Sequence, residues 1–191
     1  LEAPRDGHRT IKNEARAHRR PSSRSAFQSS PPRVTPARAA LSRAMVSWQN
    51  AHRLLFLGIR TPRPIAVIEE RWGIFLRRAY FIMAYLPGET LDKIIHAKID
   101  DAQAIESCFD HLATLIKQLA AAQISHGDFK ATNFLVSSSQ LHLLDLDGMT
   151  AHRITGAFKR AFRKDLVRLR QNWPDLPNLS SRIAKLTDRL S

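Results

Sequence analysis

Two short apolar runs, Phe134-Leu135-Val136 and Leu141-His142-Leu143-Leu144, enclose the polar turn Ser137-Ser138-Ser139-Gln140. Apolar runs of this length around turn residues predict a β-hairpin. A hairpin sets its two ends side by side, so Asp128 and Asn133, just ahead of the first strand, come next to Asp145 at the end of the second. A chain that closes this hairpin gathers two oxygen donors and a separate carboxylate at one place. Hard cations such as Mg²⁺ take one or two such protein oxygens and complete their shell with phosphate and water. A carboxylate beside the ion can accept a hydroxyl proton while the metal neutralises phosphate charge, which is the requirement for phosphoryl transfer from ATP.

These residues lie in the neutral part of a basic protein. Of 191 residues, 30 are Lys or Arg and 17 are Asp or Glu, a formal charge of +13. Residues 1–40 hold nine basic and three acidic side chains, 41–150 hold eleven of each, and 151–191 hold ten and three. A nucleic-acid binder would more often carry its charge on the folded face that reads the ligand, whereas here the charge flanks a balanced middle, so nucleic acid is not the expected partner. A single cysteine, Cys108, excludes an intrachain disulfide and suggests a reducing compartment. Cys108 itself reads as a small buried apolar residue. No apolar run approaches the roughly 18–20 residues of a membrane helix, and the opening stretch is charged rather than leader-like. The expectation is a soluble protein of one or two domains, at most peripheral to a membrane.

Residues 1–38 are basic and rich in Pro and Ser, with no period of 2.0 or 3.6, and read as disordered apart from a short helix at 9–20. From Leu41 to Leu57 the spacing of Met45, Trp48, Ala51, Leu54 and Leu55 predicts an amphipathic helix closed by Gly58. IAVIEE (65–70) and AYFIMAYL (79–86) flank RWGIFLRR as a first hairpin, ended by Pro87-Gly88. Leu91, Ile94 and Ile95 mark a short helix; Ile105, Phe109, Leu112, Ile116 and Leu119 mark a long one. Beyond the second hairpin, Ile154, Phe158, Phe162, Leu166 and Leu169 share a helical face, and Ile183, Leu186 and Leu190 suggest a last helix.

The segment His126-Gly127-Asp128-Phe129-Lys130-Ala131-Thr132-Asn133 resembles the catalytic loop of protein-kinase-like enzymes, usually H-R-D-x-K-x-x-N. With Gly in its middle, and with Leu143-Leu144-Asp145-Leu146-Asp147 after it, it is similar in particular to the lipopolysaccharide kinase (Kdo/WaaP) family. The stretches SWQNAHRLLFLGIRTPRPIAVIEE and YFIMAYLPGETL resemble that family's helix, linker and hinge, and the likeness spans about residues 35–172. It implies an α+β, protein-kinase-like fold with a truncated or degenerate N-terminal lobe, 39–86, and a mainly helical C-terminal lobe, 87–191.

The same resemblance implies a set of roles. Asp128 would be the base or orienting carboxylate for the acceptor hydroxyl, and Lys130 would contact the transferred phosphate. Asn133 and Asp145 would hold Mg²⁺, with Asp147 either a second metal contact or a turn residue. His126 would pack and hydrogen-bond within the loop, Asp165 would anchor the loop backbone, and Met83, Ala84, Tyr85 and Leu86 would line the adenine site. The implied activity is ATP-dependent phosphorylation of a sugar hydroxyl on a lipid A-core glycolipid, at the cytoplasmic face of an inner membrane. The basic tail would suit an anionic lipid or phosphorylated glycolipid.

The upper lobe departs from the kinase pattern. All seven glycines are isolated, so no G-x-G-x-x-G loop exists over the phosphates. Lys12 is the only lysine before the hinge, and Ser47 stands about where the helix glutamate belongs. Either the chain is a divergent or inactive relative, or its coding sequence is truncated or frame-shifted before about residue 35. The abrupt change in composition favours the second, and translation of the upstream DNA in all three frames would decide it. Two readings stand beside the kinase. Leu143-Leu144-Asp145-Leu146-Asp147-Gly148-Met149-Thr150 also resembles the first motif of haloacid-dehalogenase-like phosphatases, although too few residues follow for the sheet such enzymes need. A non-catalytic kinase-like phosphate binder, or a kinase of another small-molecule or protein acceptor, would use the same loop.

Overall fold

The computed structural model describes residues 26–29, 41–98, 100–173 and, near the end of the chain, 181, 183–185 and 188. Strand β1 (Ala26–Ser29) precedes helix α1 (Arg43–Phe56), the strands β2 (Pro64–Trp72) and β3 (Phe75–Met83), and the two-residue strand β4 (Glu89–Thr90). Helices α2 (Leu91–Ala97) and α3 (Ala102–Ala121) follow, then β5 (Ile124–Ser125), β6 (Phe134–Ser137), β7 (Gln140–Leu143), β8 (Thr150–Ala151) and helix α4 (Thr155–Arg170). Three small antiparallel sheets result, ordered β1-β3-β2, β4-β6-β7 and β5-β8. Ala26–Ser29 falls in the stretch expected to be disordered and pairs with Tyr80–Met83 of β3. Lys12 and the helix expected at 9–20 lie outside the described residues.

Both expected hairpins form. The first turns at Gly73, whose φ of +57° suits a residue without Cβ. The second turns at Ser138 and Ser139, both with positive φ (48° and 59°), and pairs Phe134 with Leu143 at its open end. Helix α1 starts where Ser42 accepts a hydrogen bond from the Met45 amide (3.0 Å), and the same hydroxyl donates to Glu69 of β2 (2.6 Å).

The buried face of α1 differs from the one its large apolar residues suggest. Ala44, Ser47, Asn50, Ala51 and Leu54 are buried, Met45 and Trp48 only half-buried, and Leu55 is exposed. Small residues face inward because the helix packs closely on β2, β3 and the turn after Asp145. Trp48 instead meets Phe81 edge to face.

The core of the helical lobe follows its stripes. Phe109, Leu112, Ile116 and Leu119 of α3 are buried, with Leu115 joining them, and so are Phe158, Phe162, Leu166 and Leu169 of α4. Ile154, at the head of the expected α4 stripe, is exposed because the helix begins only after it. Of the last helix, the described positions are helical and Ile183 is buried; Leu186 and Leu190 lie outside them. Cys108 is half-buried on α3. No helix among the described residues is long and apolar enough to cross a membrane.

Candidate active site

The loop between β5 and β6 carries His126 to Asn133, and its backbone is tied on one side by helix α4. Asp165, 3% exposed, accepts the amides of His126 (2.6 Å) and Gly127 (3.0 Å) on its two oxygens. One turn on, Arg168 Nη1 donates to the Gly127 carbonyl (3.0 Å) and to Asp128 Oδ1 (2.6 Å). Another turn on, Asn172 accepts the Ala131 amide (3.0 Å) while its own amide caps the Arg168 and Leu169 carbonyls. The spacing i, i+3, i+7 puts all three on one helix face. Burial pushes the Asp165 carboxyl up, and the two amide donors work against that shift.

Gly127 has to be glycine. Its φ is +85°, and a Cβ there would stand 2.7 Å from the Gly148 carbonyl oxygen. The loop and the turn Leu146–Gly148 therefore approach more closely at this point than any side chain permits. The same closeness accounts for H-G-D in place of the more usual H-R-D.

His126 is buried and links the two strands of the site. Its Nε2 lies 2.9 Å from the Leu144 carbonyl and its Nδ1 lies 3.3 Å from the Asp128 amide. A carbonyl only accepts and an amide only donates, so the neutral ring with its proton on Nε2 satisfies both. Burial holds the imidazole below its ordinary pKa, against the pull of the Leu144 carbonyl and the nearby aspartates.

Asp128 stands between two cations. Arg168 binds Oδ1, while Lys130 binds Oδ2 at 2.9 Å. The Asn133 amide donates to the Asp128 carbonyl (2.8 Å) and reaches Oδ2 at 3.4 Å. Partial burial alone would raise this carboxyl; Lys130, Arg168 and Asn133 outweigh it and hold it below the ordinary value.

Asp145 completes the set at the open end of the second hairpin, where the Leu144 amide donates to the Asn133 carbonyl (2.8 Å). Its φ of +56° is the left-handed conformation that Asp tolerates better than most residues, and such strain concentrates at functional sites. Burial first, then the charges of Asp147 and Asp128, push its carboxyl up; His126 and Arg43 oppose them. Asp147 sits in the Leu146–Gly148 turn and is ion-paired to Arg43 of α1. Its neighbours Leu146 and Met149 are gripped from α1 as well, through their carbonyls, by Asn50 Nδ2 at 2.8 and 3.1 Å.

Asp128, Lys130, Asn133, Asp145, His126, Asp147 and Asp165 are thus gathered round one loop and one hairpin. The expected adenine segment runs from the last residue of β3 into the irregular stretch before β4. Met83, Ala84 and Leu86 are half-buried and Tyr85 is exposed, and the Ala84 amide donates to the Arg63 carbonyl (2.8 Å). A surface cavity of about 430 Å³, lined by residues that include Lys98, Cys108 and His111, shares none of these side chains. Asp145 ends a strand of an antiparallel hairpin rather than of a parallel sheet, which removes the phosphatase alternative.

The residues fit a hard divalent cation. The Asn133 amide nitrogen is engaged, which leaves its Oδ1 without a partner among the described residues; the Asp145 carboxylate accepts no hydrogen bond from them either. Two oxygen donors at the adjoining ends of one hairpin, beside Asp128 and Asp147, suit a cation that completes its shell with phosphate oxygens. Sequence reasoning did not single out Arg168, Asn172, Asn50 or Arg43. The first two carried a signal in their spacing from Asp165 along α4, and Asn50 in its place on the inward side of α1.

A loop that presents an aspartate, a lysine and an asparagine, with a second aspartate at the end of the next hairpin and a buried helix aspartate behind it, defines a protein-kinase-like protein. The profile of the lipopolysaccharide kinase (Kdo/WaaP) family matches residues 35–186, and the chain belongs to that family. Among solved structures it is similar to WaaP in complex with acyl carrier protein, with a TM-score of 0.56 and 17% identity over 77% of this chain and 76% of that one. This likeness shows the protein-kinase-like fold. No curated protein matches the chain.

Proposed function

We propose that the protein transfers the γ-phosphoryl group of ATP to a sugar hydroxyl of a lipopolysaccharide core. The observation that carries this reading is Asp128, an ionised carboxylate fixed between Lys130 and Arg168 on a loop locked to α4, with Asn133 and Asp145 at the adjoining ends of the second hairpin. Asp128 orients the acceptor hydroxyl and takes its proton as the acceptor oxygen bonds to the γ-phosphorus and the bond from that phosphorus to the bridging oxygen breaks. Lys130 balances charge on the transferred group. Asn133 Oδ1 and Asp145 would hold Mg²⁺, which when bound neutralises phosphate charge. Asp165 and Asn172 keep the loop backbone in register, and His126 ties Asp128 to Leu144. Met83, Ala84, Tyr85 and Leu86 would line the adenine.

The site would work at the cytoplasmic face of a membrane. Lys159, Arg160, Arg163 and Lys164 of α4 are exposed, while the apolar face of the helix is buried, and that basic surface suits anionic lipid or a phosphorylated glycolipid. Assay of phosphate transfer from labelled ATP to deacylated core oligosaccharide tests the proposal. Wild type should label the acceptor and Asp128→Asn and Asp145→Asn should each lose about a thousandfold or more; equal labelling by either variant removes the assigned role.

One observation favours a second reading, a binder without turnover. Ser47 is buried on α1, and no carboxylate of that helix faces the site to hold a nucleotide lysine. Thermal stabilisation by Mg-ATP without any labelled product would select that alternative.

A further inference from the structure

The contact between Arg168 and Asp128 does more than fix the loop. A catalytic carboxylate has to receive the acceptor hydroxyl, and Oδ2 of Asp128 is already shared by Lys130 and Asn133. Oδ1 is bound by Arg168 alone among the described residues, so it has a lone pair to spare. A hydroxyl that donates to Oδ1 therefore lies against the Arg168 guanidinium. Both contacts of that group use Nη1, to the Gly127 carbonyl and to Asp128. Nη2 and Nε donate to no group among the described residues, and the side chain is 47% exposed. The planar edge formed by Nε and Nη2 lies across the guanidinium from Nη1, one group's width from a hydroxyl on Oδ1, and matches an anion with two oxygens held side by side.

We propose that Arg168 is a specificity residue that reads an anionic group, carboxylate or phosphate, carried by the acceptor close to the hydroxyl that is phosphorylated. The inference rests on the proposed sugar-kinase reading and adds the chemistry its acceptor must have. A loop clamp alone would need neither the free edge nor the exposure: Asp165 and Asn172 hold the backbone from inside, whereas Arg168 stands at the mouth.

Deacylated core oligosaccharide in four forms tests this: native, enzymatically dephosphorylated, carboxyl-reduced, and both. Wild type should prefer the form that keeps the recognised anion by about tenfold in kcat/KM, mostly through KM, and the singly treated forms tell phosphate from carboxylate. Arg168→Gln should bring that preference close to one. Arg168→Lys, which keeps the charge without the planar fork, should fall between and controls for folding through its unfolding temperature. A loss by the same factor on all four acceptors overturns the proposal and leaves Arg168 a clamp. If wild type labels no acceptor, the kinase reading fails on its own, and calorimetric binding of the native and doubly treated oligosaccharides decides the inference. Equal affinity for the two, or equal binding by wild type and Arg168→Gln, would overturn it.

Discussion

The two helices that touch the site hold it by different chemistry. On the α4 side, a carboxylate, a guanidinium and an amide meet the loop's own amides and carbonyls, and Asp165 is sealed from solvent beneath them. On the α1 side, a neutral asparagine holds two carbonyls of the following turn, and the one ion pair, Arg43 to Asp147, lies at the surface. The same contrast runs through the lobes around them. Phe129 and Phe134 are fully buried below the loop, whereas Phe56 at the end of α1 and Trp72 at the tip of the first hairpin are 91% and 85% exposed. The α4 side of the site is built tightly, and the α1 side is held lightly.

Removal of the buried carboxylate should break this comparison most severely. Asp165→Ala strands the buried His126 amide and takes the charged partner from the more exposed Gly127 amide, a loss of about 2–5 kcal/mol at the usual cost of an unsatisfied buried donor and a lost charged hydrogen bond. Chemical denaturation should show it as a lower midpoint. A change under about 1 kcal/mol would mean the loop has another support and the α4 side is no stronger than the α1 side.

Asn50→Ala is the matching test on α1. The Leu146 and Met149 carbonyls lose one donor and Arg53 loses the Asn50 oxygen, a cost of about 1–3 kcal/mol. Because these carbonyls follow Asp145, metal affinity should fall more than stability does in this variant, and the reverse pattern is expected for Asp165→Ala. Titration of Mg²⁺ against ATP binding reads the first and denaturation the second; identical patterns in both variants would erase the distinction.

Most of the tight half was legible in the sequence and most of the light half was not, for a physical reason. Asp128, Asn133 and Asp145 converge because a hairpin of two short strands leaves no other choice, and alternation and turn residues announce such a hairpin. The stripes of α3 and α4 were equally visible, since large apolar residues at helical spacing bury in a thick core. Helix α1 misled in part because, beside the expected Ala51 and Leu54, it packs through Ala44 and Ser47, and small residues carry little hydrophobic signal. Arg168 was hidden by its company: among so many basic residues on α4, only the fold shows which one reaches Asp128. Strand β1 could not be read either, because Ala-Phe-Gln-Ser carries no pattern without its partner β3.

Acid should act on the joint between the two halves. His126 is held neutral by burial, with its folded pKa below the ordinary value near 6.5. The unfolded chain takes up a proton there before the folded one does, so stability is full above that value and declines as pH falls toward the depressed folded pKa. His142 is shifted the same way, so the difference between proteins is the informative quantity. Unfolding temperature between pH 7 and pH 5 should drop more steeply for wild type than for His126→Gln; parallel slopes would show that His126 is not the titrating joint.

The smallest effect is expected at Arg43, and it discriminates between two views of α1. Arg43 is largely exposed, so its ion pair with Asp147 is screened and exposed pairs of this kind contribute about 0–1 kcal/mol. Arg43→Ala should therefore leave the denaturation midpoint almost unchanged. Its charge nonetheless opposes the repulsion that Asp147 and Asp128 impose on Asp145. Without it, the Asp145 carboxyl should rise further, so that binding of Mg-ATP weakens at mildly acidic pH and recovers as pH rises and Asp145 ionises. A large loss of stability with unchanged Mg-ATP binding would make Arg43 a strut for the helix. The opposite result would make α1 an electrostatic partner of the site, reached through Asp147 rather than through a helix glutamate.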